Sequence, residues 1–263
     1  MSSSSVARSL ADFIDHVARL TEAWQSDLWF RGQSEANWPL TPGLFRTDPS
    51  HGELYLREEF KRRGLQLLPE KVPSNDWEWY FLMQHYGMPT RLLDWSDGSL
   101  FGLYFALRKN DGHSDAAVWV VDPYWLNEVT SGQQVIFLAP EPVISEYLPA
   151  RDEDALPAWP IALEPPHLLR RIAVQRSCFT LHGARQQSLE QLLATHPEAT
   201  ADLHLERILI PRESVRALRR ELLRCGIVET SVFPDLDGLS RELKWRYTSP
   251  LRSPVPAAID EGG

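Results

Sequence analysis

The sequence predicts a single domain of the α+β class. Three observations carry that expectation. The predicted helices and strands do not alternate as βαβ units. The run Ala116 to Val121 is apolar throughout, as a strand buried on both faces is. The length, 263 residues, gives ample chain for one large core.

The elements follow in order. Ser9 opens a helix on which Leu10, Phe13, Ile14, Val17 and Leu20 repeat at helical spacing, ending near Trp24. Leu28 to Arg31 predicts a short strand stopping at Gly32, and Ser34 to Pro49 a turn-rich loop. Glu53 to Leu68 predicts a helix with mixed charges outside. Asn75 or Asp76 caps the next helix, which carries Trp77, Tyr80, Phe81 and Gln84, and Gly87 sits where a C-terminal glycine belongs. Met88 to Trp95 runs extended. Ser96 or Asp97 opens a helix through Leu107 that is apolar almost all round, which predicts a buried central helix.

Residues 139–166 form a Pro-rich connection, a candidate lid or insertion. Leu168 to Leu181 and Leu205 to Ile210 predict strands. Pro211 starts a helix with Val215, Leu218 and Leu222 on one side, and Gly226 ends it. Ile227 to Phe233 predicts a last strand, followed by the turn Pro234 to Gly238 and a short helix. Residues 249–263, rich in Pro, Ser and Gly, predict a disordered tail.

The formal net charge is −9, so the surface as a whole should not attract nucleic acid or anionic membranes. Two cysteines, Cys178 and Cys225, lie far apart and argue against a disulfide scaffold. No stretch is apolar and long enough to span a bilayer, and the start lacks the apolar run of a signal peptide. A cytoplasmic protein without membrane contact is the expectation. Dinucleotide-fold and P-loop glycine motifs, zinc-ligand spacings and the serine nucleophile elbow are all missing. No metal is expected.

Four constellations bear polar chemistry. Trp29-Phe30-Arg31-Gly32-Gln33 ends an apolar strand on a charge that burial makes costly without a partner. Arg31 could present its planar fork to a phosphate or carboxylate, or pair with an internal acid such as Asp94. Gln33 could orient a ligand or satisfy a turn. The string Gln84 to Trp95 gathers His85, Tyr86, Thr90, Arg91, Asp94 and Trp95 between two apolar helices, so it is either an internal network or a site wall. Arg170, Arg171, Arg176 and Arg185, with His167 and His182, make a local basic segment, a phosphate cradle or a solvated strand edge. Asp235-Leu236-Asp237-Gly238 could bind a ribose hydroxyl or a cation, or form an Asx turn.

Phe30-Arg31-Gly32-Gln33 and the Gln84 to Trp95 string resemble the FRG domain family. Gln175 to His182, Leu209-Ile210-Pro211 and Phe233 to Leu239 resemble its later part. On that resemblance the domain spans residues 24–245, after an N-terminal helix and lead-in at 1–23. The arrangement is distantly similar to the ADP-ribosyltransferase fold, a split β-sheet that holds NAD in an extended cleft. The resemblance implies NAD as substrate, with Arg31 in the first-strand role and Ser177 with Thr180 on the serine- and threonine-bearing strand. Asp235 or Asp237 would be the acid, Glu229 being a further candidate, and His85 the group that deprotonates an acceptor. Gln33, Tyr86, Thr90, Arg91, Asp94, Gln175 and Phe179 would complete the binding surface. The acceptor would be a protein or nucleic acid. The family's settings imply an effector or toxin role in bacterial stress or phage defence, with a neutralising partner protein. Two other classes fit the same residues: a metal-dependent enzyme acting on nucleic acid through the Asp pair, and a non-catalytic nucleotide- or partner-binding module.

Overall fold

The computed structural model describes residues 5–47, 52–68, 72–149, 155–165, 177–199 and 202–248. Helix α1 (Leu10–Trp24) opens on a capping box: Ser9 accepts from the Asp12 amide, and the Asp12 carboxylate accepts from the Ser9 amide. Its apolar side buries Phe13 and packs Leu10, Val17 and Leu20 against the core.

One eight-stranded sheet organises the chain. Its strands are β1 (Ser5–Val6), β2 (Trp29–Gln33), β3 (Leu92–Ser96), β4 (Ala116–Val121), β5 (Phe137–Leu138), β6 (Ile161–Glu164), β7 (Ser177–Leu181) and β8 (Leu205–Ile210). They lie in the order β1-β8-β4-β2-β3-β7-β6-β5. The end pairs β1–β8 and β5–β6 are parallel and the others antiparallel. This is the expected α+β single domain. Strand β1 ties the chain before α1 into the same sheet, and β6 lies within the Pro-rich connection.

The remaining helices are α2 (Gly43–Thr47), α3 (Glu53–Gly64), α4 (Asp76–His85), α5 (Ser99–Arg108), α6 (Pro123–Ser131), α7 (Leu189–Thr195), α8 (Arg212–Arg224), α9 (Glu229–Val232) and α10 (Leu236–Thr248). Asn75 caps α4 by accepting from the Glu78 amide, and Gly87 takes the left-handed φ of +79° just past it. Helix α5 is the central helix the sequence predicts, with Leu103, Ala106 and Leu107 fully buried on β2 and β4. Asp122 caps α6, accepting from the amides of Tyr124 and Trp125. Residues 142–147 add a 3-10 helix.

Helices α1, α5 and α8 cover the β8-β4-β2 half of one face, and α4 covers the β3-β7-β6 half of the same face. Trp29, Leu93, Trp95, Cys178 and Ala162 point to the other face, where α6 and α7 close a third cluster.

Two expectations need correction. Strand β2 does not stop at Gly32, because β4 pairs with it through Gln33 opposite Ala117. Ile227 to Phe233 is not a strand but the short helix α9. Its β-branched residues favour a strand, yet β8 already has β1 and β4 on its two edges. Val232 and Phe233 bury against α5 and α8 instead. Of the strand predicted over 168–181, residues 177–181 form β7 and the earlier part lies outside the described residues, as does the tail at 249–263.

Candidate functional site

The centre of the sheet comes apart. Strands β2 and β3 share a single register pair, Phe30 opposite Ser96, while β2–β4 and β3–β7 pair along their whole lengths. From Phe30 onward β2 leaves β3, and a cleft of about 520 Å³ occupies the opening. That volume suits a small-molecule ligand.

Each wall has a local cause. Gly32 faces α5, where an added Cβ would lie 2.1 Å from the Gly102 carbonyl oxygen and 2.2 Å from the Ala106 nitrogen. Only glycine lets the helix backbone come this close to the strand. Helix α5 thereby brings Phe105, Arg108 and Lys109 to one side of the cleft, and α4 brings Phe81, Gln84 and His85 to the other. Along β7 alternate residues face opposite ways. Ser177 and Phe179 line the cleft, and Phe179 meets Phe81 with ring centres 5.4 Å apart. Cys178 and Thr180 face away; Thr180 is fully buried and accepts from the Trp95 indole at 3.0 Å.

Arg31 sits in the gap itself. Its side chain is 18% exposed, donates to the Asp94 carbonyl oxygen at 2.6 Å and lies 3.8 Å from the Asp94 carboxylate. Its Nε is buried and meets no protein partner. Burial lowers its pKa from the ordinary arginine value, with Asp94 opposing the shift and Arg46 adding to it. An arginine so placed is still charged. Asp94, 58% exposed, accepts from the Gln84 side chain at 2.9 Å. Gln33 bridges the loop after β2 to the sheet, donating to the Pro39 carbonyl oxygen and accepting from the Trp119 indole at 2.9 Å.

Of the residues singled out from sequence, Arg31, Gln33, His85, Asp94, Ser177 and Phe179 line the cleft. Arg91 does not. It is buried, paired with Glu53 at 2.6 Å, and donates to the carbonyl oxygens of His182 and Tyr147. These partners make it a structural hub away from the cleft. Thr90 is fully buried and donates to Gln84, and Tyr86 is exposed beside Phe60, outside the cleft. Asp235 and Asp237 are exposed and do not line it either. Asp235 accepts from the Gly238 amide at 2.6 Å and so caps α10, the turn role the sequence allowed.

Glu229, on α9 and not on a strand, pairs with Arg108 at 2.7 Å. Gln175 and the basic residues His167, Arg170, Arg171 and Arg176 lie outside the described residues. The other two members of that basic segment do not share a track. His182 is fully buried, and Arg185 stacks on Trp159 at 3.8 Å.

Sequence reasoning misses Arg46, Phe105, Arg108, Lys109 and Phe233, all of which line the cleft. Arg46 falls in a stretch predicted as loop, where α2 in fact forms. Phe233 packs with two cations, the Arg108 guanidinium 4.4 Å and that of Arg241 5.1 Å from its ring centre. The lining thus carries Arg31, Arg46, Arg108 and Lys109 against one acid, Asp94. Among the described residues no group of His, Cys, Asp or Glu is placed to hold a metal ion. Nor is any of their helices long and apolar enough to cross a membrane.

The model of the FRG domain matches residues 26–115, from just before β2 to the residue preceding β4. Over that stretch the chain carries an FRG domain. The match contains β2, α4, β3 and α5, which supply the divided centre of the sheet and most of the cleft. Ser177, Phe179 and Phe233 complete the cleft from beyond it. No curated protein and no solved structure matches the chain.

Proposed function

We propose that the cleft binds NAD and that the protein cleaves the nicotinamide–ribose bond, transferring ADP-ribose to an acceptor or to water. One observation carries this reading: four cations and a single acid face a cleft opened at the middle of the sheet, in a chain whose net charge is −9. Arg31 supports it further, since the buried Nε has no protein partner and a phosphate oxygen would supply one.

Roles follow from position. Arg31 and Arg46 hold the pyrophosphate. Phe179, Phe105 and Phe233 offer aromatic faces to the flat rings. As the bond breaks, its electron pair leaves with the nicotinamide nitrogen and positive charge grows on the ribose. The Asp94 carboxylate, the acid that lines the cleft, stabilises that charge in place of Asp235 or Asp237. Gln84 fixes Asp94, Ser177 hydrogen-bonds the ribose or the amide, and His85 takes the proton of the attacking acceptor. The effector or toxin role that the family resemblance implies would rest on this chemistry, with a protein or nucleic acid as the acceptor.

The test combines the thermal melt of purified protein with NAD and an assay for free nicotinamide. A ligand that binds only the folded state raises the melt. Wild type is expected to be stabilised and to release nicotinamide. Arg31→Ala should lose both effects while its melt without NAD stays near wild type, because a partly exposed ion pair contributes less than about 1 kcal/mol. Asp94→Asn should keep the stabilisation and lose release by roughly 100-fold or more. Stabilisation without nicotinamide would reduce the protein to a nucleotide-binding module. No stabilisation and no release would remove NAD altogether.

A further inference from the structure

Glu229 does not line the cleft, but what it holds does. One of its carboxylate oxygens accepts from Arg108 Nε at 2.7 Å, and the other lies 3.5 Å from Arg241 Nε. Its side chain is 16% exposed, so solvent and salt screen these contacts little. Both guanidinium groups stand against the ring of Phe233, and Arg108 and Phe233 line the cleft. Two cations beside one ring repel each other, so a shared carboxylate stabilises the arrangement. Among the described residues no other acid lies within ion-pair distance of either arginine. A hydrogen bond between two charged groups fixes direction as well as charge. With its Nε held by Glu229, the Arg108 guanidinium is kept 4.4 Å from the Phe233 ring centre.

We propose that Glu229 is a positioning residue of the cleft, which acts by restraining Arg108. The proposal rests on the reading of the cleft as a phosphate site. While Glu229 holds it, Arg108 belongs to the aromatic wall with Phe233 and stays off the phosphates. The phosphates are left to Arg31 and Arg46, and a flat ring to Phe233 and Phe105. The ligand is thereby given one way round in the cleft. Specificity of this kind is a difference of affinities, and it is gained here by weakening the wrong contact. Without the carboxylate, Arg108 turns to the nearest anion. The anion then binds more tightly, and the preference for one orientation declines.

Isothermal titration of the full chain with inorganic pyrophosphate, at low and at high salt, tests this as a double-mutant cycle. Glu229→Gln keeps the shape of the side chain and removes its charge. It should raise the affinity for pyrophosphate severalfold at low salt and steepen its fall with salt. The same substitution made in an Arg108→Gln background should give little or no gain. A glutamate that merely supported the fold would, when replaced, weaken binding in both backgrounds. Glu229→Asp keeps the charge but draws the carboxylate back from Arg108, and should give a smaller gain of the same sign. It decides the matter if the glutamine variant does not fold. No gain in either single variant would overturn the proposal. So would an equal gain with and without Arg108, which would mean that Glu229 acts through its field and not through that arginine. A wild type that binds no pyrophosphate would remove the phosphate reading and this proposal with it. Binding by wild type with no gain in the variants would remove the proposal alone.

Discussion

Arg31 and Arg91 show what a residue's surroundings decide and its sequence position does not. Both stand beside apolar strand residues, and either could be a phosphate clamp. Arg91 directs all three of its side-chain nitrogens to Glu53 and two carbonyl oxygens inside the core. Arg31 keeps a buried Nε with no protein partner, in a gap that opens to the cleft. His182 lies near both. Its ring is fully buried against Phe45, and neither nitrogen meets a protein partner. Burial, reinforced by the charges of Arg91 and Arg31, pushes its pKa down to about 3. In the unfolded chain the imidazole takes up a proton near pH 6.5. Below that pH the unfolded state binds a proton that the folded state refuses. Stability therefore falls with pH, by at most about 1.4 kcal/mol per unit from this group. His182→Leu replaces the ring by an apolar side chain and should flatten the decline in melting temperature between about pH 6.5 and pH 4.5. Equal declines in the variant and wild type would show that His182 is not held neutral in the folded protein.

At the scale of elements, the glycine after Arg31 matters as much as the arginine. Helix α5 lies on β2 so closely that any Cβ at residue 32 would meet the helix backbone. That contact fixes where Phe105, Arg108 and Lys109 enter the cleft. Gly32→Ala should lower stability by roughly 1–3 kcal/mol or more through overpacking, seen as a drop in the denaturation midpoint, and should weaken ligand binding by shifting α5. A Gly32→Ala variant as stable as wild type would mean that the helix has room to retreat.

Elements with strong local signals were legible in the sequence: α1 from its capping box, α4 from Asn75 and Gly87, β4 from its apolar run, and α8 between Pro211 and Gly226. Helix α9 was not, because Ile227, Val228 and Val232 favour a strand locally and only the occupied edges of β8 refuse them one. The site was legible where one segment carries it, as in β2, α4 and β3. Arg46, Phe105 and Phe233 were hidden because tertiary packing alone brings them to the cleft.

At the scale of the molecule, an acidic chain with a basic cleft makes a claim about salt. The net charge of −9 repels anions at long range, while Arg31, Arg46, Arg108 and Lys109 attract them at the opening. Clefts of this kind focus field lines between low-dielectric walls. The affinity for NAD, or for a simple pyrophosphate probe, should fall severalfold as sodium chloride rises from about 0.05 M to about 0.5 M, as the screening length shrinks. The four cations should not contribute equally. Arg108 is matched by Glu229 at 2.7 Å, so its charge is largely compensated. No such acid accompanies Arg46 among the described residues. Arg46→Ala should therefore weaken binding and flatten its salt dependence, while Arg108→Ala should mainly disturb Phe233, on which it stacks. Isothermal titration at several salt concentrations separates the two effects. Salt-independent binding, or equal changes in slope for both variants, would mean that the cleft selects its ligand by shape and stacking and not by charge.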